Sequence, residues 1–139
     1  MFKKTITYKD YHESERTEDF YFHLTRAELL EMEMTTPGGY KEMLERIIKA
    51  QDVPTLYKTF KEFIHAAYGE KSADGKRFRK IDEQTGRRLV EAFAETEAYS
   101  ILLTEVCTNS DAAAKFINGI IDGANSSNRT NVAPAQAVN

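Results

Sequence analysis

From Phe2 to Leu24 apolar and polar residues alternate with a period of two. Phe2, Lys4, Ile6 and Tyr8 share one face and Lys3, Thr5 and Thr7 the other. A polar stretch, Lys9 to Glu18, follows, and Phe20, Phe22 and Leu24 then alternate with Tyr21 and His23. This is the pattern of two half-buried strands. Their closeness predicts an antiparallel pair joined by a loop longer than the tightest hairpins use. Two strands alone are marginal in water, so their aromatic face is expected to pack on the helices that follow, or on a partner.

At Thr25 the period becomes helical. Thr25 with Glu28 three residues later reads as a capping box opening a short helix, and Pro37-Gly38-Gly39 ends it. Tyr40, Met43, Leu44, Ile47 and Ile48 form the stripe of a second helix. Asp52 caps a third, with Pro54 in its first turn; Leu56, Tyr57, Phe60, Phe63, Ile64, Ala67 and Tyr68 form its apolar face and Gly69 ends it. A loop over Gly69–Lys80 leads to a helical turn at Leu89, Val90 and Phe93, with Gly86 weakening its start. In the segment Glu97–Cys107 the apolar residues Ala98, Tyr99, Ile101, Leu102, Leu103, Val106 and Cys107 cover most of the helical wheel, as for a central or interfacial helix. Ser110 caps a last helix striped by Ala113, Phe116, Ile117, Ile120 and Ile121.

From Asp122 no apolar period survives, and residues 122–139 read as a flexible tail. The predicted fold is therefore mainly α. It is a small bundle of five or six helices with an N-terminal two-stranded antiparallel β element and a flexible C-terminal tail. One globular domain covers 1–121, with the β element in 1–24 and the helices in 25–121.

Composition narrows the classes. Hydrophobic residues are 41% and charged residues 29% of 139, which fits a globular chain. The net charge of −3 argues against a general phosphate binder. The single cysteine, Cys107, excludes a disulfide framework and fits a reducing, cytoplasmic setting. MFKKTITYKDY lacks the apolar run of a signal peptide, and no window is apolar enough to span a membrane.

Candidate chemistry is sparse. His12, His23 and His65 do not converge in sequence; His12 falls in the polar loop, His23 on the outward face of its strand, and His65 opposite an apolar stripe, where it is expected to be solvated. Cys107 reads as a small buried hydrophobe. No dinucleotide fingerprint, P-loop, serine-hydrolase elbow or zinc-ligand spacing occurs, and no catalytic, cofactor-binding or metal site is assigned. The basic cluster Lys76, Arg77, Arg79, Lys80, Arg87 and Arg88, with Phe78 interleaved, fits contact with nucleic acid through phosphates and one stacked base. It equally fits a solvated rim around an Asp74-Gly75 turn, and Asp82, Glu83 and the acidic whole favour the rim.

The blocks ERTEDFYF, LTRAELLEME, a Gly-Gly break, YGEKSADGKRF, FAETEAYS and AAAKFINGII, in that order from about Phe2 to Ile121, resemble the tail assembly chaperones, or small tail-module proteins, of tailed bacteriophages of Gram-positive hosts. The resemblance implies a non-enzymatic protein of the host cell cytoplasm. Such a protein coats the tape-measure protein, recruits tail-tube subunits and leaves before the virion matures. A partner of that kind is a long helical chain, which calls for helix-in-groove recognition. Tyr99, Leu102, Leu103, Val106, Phe116, Ile117 and Ile120 are then the candidate partner-binding or self-association residues, with ordinary core as their other reading. A structural tail protein retained in the virion and a small nucleic-acid-binding regulator using Lys76–Arg88 are the rival functions.

Overall fold

The amino-terminal alternation folds as a hairpin of β1 (Phe2–Lys9) and β2 (Glu15–Phe22), in register from Phe2 opposite Phe22 to Lys9 opposite Glu15. The computed structural model describes residues 1–136, with side chains through 126. Ile6, Phe22 and Leu24 are buried, so the predicted inner face is the packed one. On the outer face the Thr7 and Thr17 hydroxyls meet at 2.9 Å and Thr5 donates to Asp19 at 2.6 Å, cross-strand pairs of the kind that hold a solvated face.

Six helices follow among the described residues: α1 (Arg26–Thr35), α2 (Tyr40–Ala50), α3 (Val53–Ala67), α4 (Leu89–Phe93), α5 (Glu97–Thr108) and α6 (Ser110–Gln136). Thr25 and Glu28 form the expected capping box. Gly38 and Gly39, at φ of 82° and 95°, turn the chain from α1 into α2 where a side chain would be strained. Two caps differ from expectation. The Asp52 carboxylate accepts from the Thr55 hydroxyl rather than from a backbone N–H. At α6 it is Asn109, not Ser110, whose side chain accepts from the helix, at 3.0 Å from the Ala112 N–H.

The largest departure lies just after α3. Tyr68 does not extend that helix and Gly69 does not stop it: Tyr68–Lys71 form β3 and Phe78–Arg79 form β4, within the stretch predicted as loop. Tyr21 pairs with Gly69 and Phe22 with Tyr68, so the hairpin becomes part of a four-stranded antiparallel sheet in the order β1-β2-β3-β4. Ser72 closes the β3–β4 turn, donating to Asp74 at 2.7 Å and accepting from the Arg77 N–H at 3.0 Å. Gly86, at φ 76°, sits in the turn between the bridged residues Ile81 and Arg88 and not in α4.

The sheet packs its inner face on α5 and α6, α3 lies along α5, and α1 and α2 flank α6. Aromatic edges interlock at the centre: Phe22 meets Tyr68, Phe93 and Phe116 at ring separations of 5.6, 6.0 and 5.1 Å, and Tyr68 stacks on Phe93 at 4.4 Å. At Asp122, where the tail was expected to begin, α6 does not end. Residues 122–126 continue α6, and Ala124 is buried in the core. For residues 127–139 that expectation lies outside the described side chains.

Candidate functional site

The apolar residues proposed from sequence converge on one place. Leu102, Leu103 and Val106 of α5 and Phe116, Ile117 and Ile120 of α6 are buried against each other and the sheet, while Tyr99 is half-buried between α3 and Phe93. They form core in the isolated chain. Ile101, also counted in the apolar wheel, points to water.

Two grooves nevertheless reach parts of this set from outside, one on each side of α6. The smaller, about 290 Å³, lies between β1, α5 and α6, lined by the half-buried Phe2, the nearly fully buried Leu102, Val106 and Phe116, and the Lys4–Glu105 ion pair of 2.9 Å. The larger, about 650 Å³, runs between α2 and α6. Ile48, Ala114 and Ile117 supply its apolar floor, and Glu42, Glu45, Arg46, Lys49 and Asp111 its rim. A hydrogen bond of 3.3 Å from Gln51 to Ser110 closes one end. None of the five rim charges enters an ion pair among the described residues. An apolar floor with unspent charge of both signs around it fits one face of an amphipathic helix. This groove was missed from sequence because its floor joins Ile48, at the half-buried edge of the α2 stripe, to Ala114, outside the α6 stripe, and to the buried Ile117, and each stripe reads as core when taken alone.

The basic cluster is stitched into the fold. Lys80 turns inward, its ammonium 3.1 Å from Glu28, 2.7 Å from the Ala66 carbonyl and 5.7 Å from the centre of the Phe78 ring. Arg88 donates to the His65 carbonyl at 2.6 Å. Arg77 pairs with Glu83 and Arg87 with Glu91, each at 2.8 Å. Arg79 has its Nε buried without a hydrogen-bond partner, and Lys76 is exposed. Three of the six cations pair with carboxylates of their own chain and a fourth, Arg88, is held on a neutral carbonyl, which reduces the net positive charge the cluster offers to a phosphate backbone.

Two histidines sit deeper than expected. His65 is half-buried rather than fully solvated: its Nε2 lies 3.1 Å from the Tyr99 hydroxyl, and burial lowers its pKa. His23 packs edge-on against Phe78 with a buried, unpartnered Nδ1, and burial, the amino terminus and Lys80 lower its pKa. Cys107 is half-buried, and burial pushes its thiol up. Among the described residues no three His, Cys, Asp or Glu side chains are grouped to hold a metal, and no helix is long and apolar enough to cross a membrane.

Among curated proteins and among solved structures, nothing matches this chain. A family model does match, that of the phage tail assembly chaperone, over residues 1–128. The match takes in the whole sheet, α1 to α5 and the part of α6 that closes the core, and runs beyond the Ile121 limit of the resemblance read from sequence. With coverage of that extent, the chain belongs to the phage tail assembly chaperone family.

Proposed function

We propose that this chain binds the tape-measure protein in the host cytoplasm, keeps its helical stripes covered and helps recruit tail-tube subunits, without catalysing a reaction. The observation that carries the reading is the α2–α6 groove, an apolar floor within a rim of unpaired charges in a chain of the chaperone family. A tape-measure chain is expected to present long amphipathic helices before the tube encloses it, and such a helix can lay its apolar face on Ile48, Ala114 and Ile117. Charged residues beside that face would find opposite partners among Glu42, Glu45, Arg46, Lys49 and Asp111, which favours one register over others.

Co-expression tests this. The tape-measure protein should be largely soluble with the native chain and largely insoluble with Ala114→Glu, which sets a charge on the groove floor. Ala114 is half-buried and outside the closed core, so Ala114→Glu should cost about 1 kcal/mol, and thermal unfolding of the variant checks that it still folds. A tape-measure protein equally insoluble with and without this chain would sink the proposal. Mass spectrometry of purified virions separates a departing chaperone, which should be absent, from a tail component, which should be abundant.

A further inference from the structure

β2 runs from Glu15 to Phe22, yet β3 pairs with it only at Tyr21 and Phe22. One step beyond those pairs the His23 N–H donates to the Ala67 carbonyl at 2.8 Å. Backbone groups of a strand alternate between its two edges, so Tyr21, Asp19, Thr17 and Glu15 turn theirs to the β3 side, and Phe20, Glu18 and Arg16 theirs to β1. Among the described residues no backbone partner meets Asp19, Thr17 or Glu15 on that side, and all three are exposed. β3 turns away instead to β4, pairing Glu70 with Arg79 and Lys71 with Phe78. Where it departs from β2 a cleft of about 410 Å³ opens, with Met1, Tyr21, Gly69 and Lys71 in its lining. The open strand is acidic: Glu15, Glu18 and Asp19 stand against Arg16, which is held by Asp10 at 2.6 Å and Glu18 at 3.3 Å. Lys3, 3.9 Å from Asp19, and Lys9, opposite Glu15, lie on β1, one strand further from the open edge.

From this edge we infer that the Glu15–Asp19 stretch of β2 accepts an extended, basic segment of a partner protein as an added strand. The unpaired N–H and C=O groups of Glu15, Thr17 and Asp19 supply the main-chain bonds, and the carboxylates select lysine or arginine at facing positions. An added strand lies about 5 Å from β2 and about 10 Å from β1, so the acids of β2 act on it more strongly than Lys3 and Lys9 do. At the β3 end, one apolar side chain of the segment can enter the cleft over Tyr21. Charge guards most exposed edges against unwanted pairing. Here the guard is mainly of one sign. Antiparallel pairing of β2 with β2 of another copy, centred on Thr17, sets Glu15 against Asp19, so the edge repels its own kind and admits a basic strand. The occupant is extended rather than helical, so this inference does not rest on the α2–α6 groove or on the tape-measure reading.

Fluorescence anisotropy with the full chain tests it. The probe is a labelled peptide of about eight residues alternating valine and lysine, a basic segment with strong strand preference. It should bind saturably at low salt with a Kd of about 10–500 μM. The same peptide with glutamate for lysine, and a valine–lysine peptide N-methylated at every residue, should each bind at least about tenfold more weakly. The N-methylated peptide keeps the charge and loses the donors, which separates strand addition from plain attraction to acidic side chains. Hydrogen exchange gives the position. Amides of Thr17 and Asp19 should exchange fast in the free chain and slowly with the probe bound, while those of Glu18 and Phe20 are protected in both. Thr17→Pro removes an edge donor and no bond to β1, and should weaken binding at least about tenfold. The exchange pattern is read on the native chain and holds as a test even where that variant misfolds. Absence of saturable binding, equal binding of either control peptide, or no gain of protection at Thr17 and Asp19 overturns the inference.

Discussion

A methyl group on Gly69 would stand 2.4 Å from the Arg79 carbonyl oxygen and 2.6 Å from the Phe78 ring, so β3 and β4 meet only because that side chain is absent. Gly69→Ala is expected to destabilise by about 1–3 kcal/mol, read as a lower urea midpoint at unchanged slope. An unchanged midpoint would contradict the close approach. His23 makes a prediction in pH. Its pKa is lowered from 6.5 by burial first, then by the amino terminus and Lys80, with Glu28 opposing. The unfolded chain therefore takes up the proton first as pH falls, and the stability that neutral His23 supplies at higher pH is lost progressively below about 6.5. His65 is lowered for the same leading reason. His23→Leu should flatten the stability curve between about pH 7 and 5, and adding His65→Leu should flatten it further. Equal slopes in native and variant chains would refute this.

At the scale of elements, caps separate what was legible from what was not. Thr25 and Glu28 were read correctly because a capping box is a local pattern. The start of α6 was misplaced by one residue because Asn109 and Ser110 are both good caps and only the backbone shows which one precedes the helix. Asn109→Ala should cost about 1 kcal/mol and Ser110→Ala much less, a contrast that thermal unfolding resolves. The hairpin was legible from its period of two. Strands β3 and β4 were not, because Tyr68 also continues the apolar face of α3 and glycine after a helix usually marks its end. What holds Gly69 in a strand is Tyr21 of β2, far away in sequence. The continuation of α6 past Ile121 was hidden for a similar reason: Ala124 has too little side chain to extend an apolar period, yet it is fully buried.

For the whole molecule, the apolar stripes of α5 and α6 were visible in sequence, but which of their edges stay open was decided by the helices packed beside them. Leu102, Val106, Phe116 and Ile117 each serve the core and touch a groove. Truncating such a residue would confuse folding with binding, since Ile117→Ala should cost about 2–5 kcal/mol of stability. Ala114 avoids that difficulty, being half-buried on the groove floor. The most direct measurement places a photo-crosslinking residue at Ala114 and irradiates the chain co-expressed with the tape-measure protein. The account predicts a crosslink between the two chains, mapping to an amphipathic helical segment of the tape-measure protein and lost when Ile48→Glu is added. A complex that forms but yields no crosslink from this position, while one placed at Tyr21 on the sheet does crosslink, would contradict the α2–α6 groove as the binding surface.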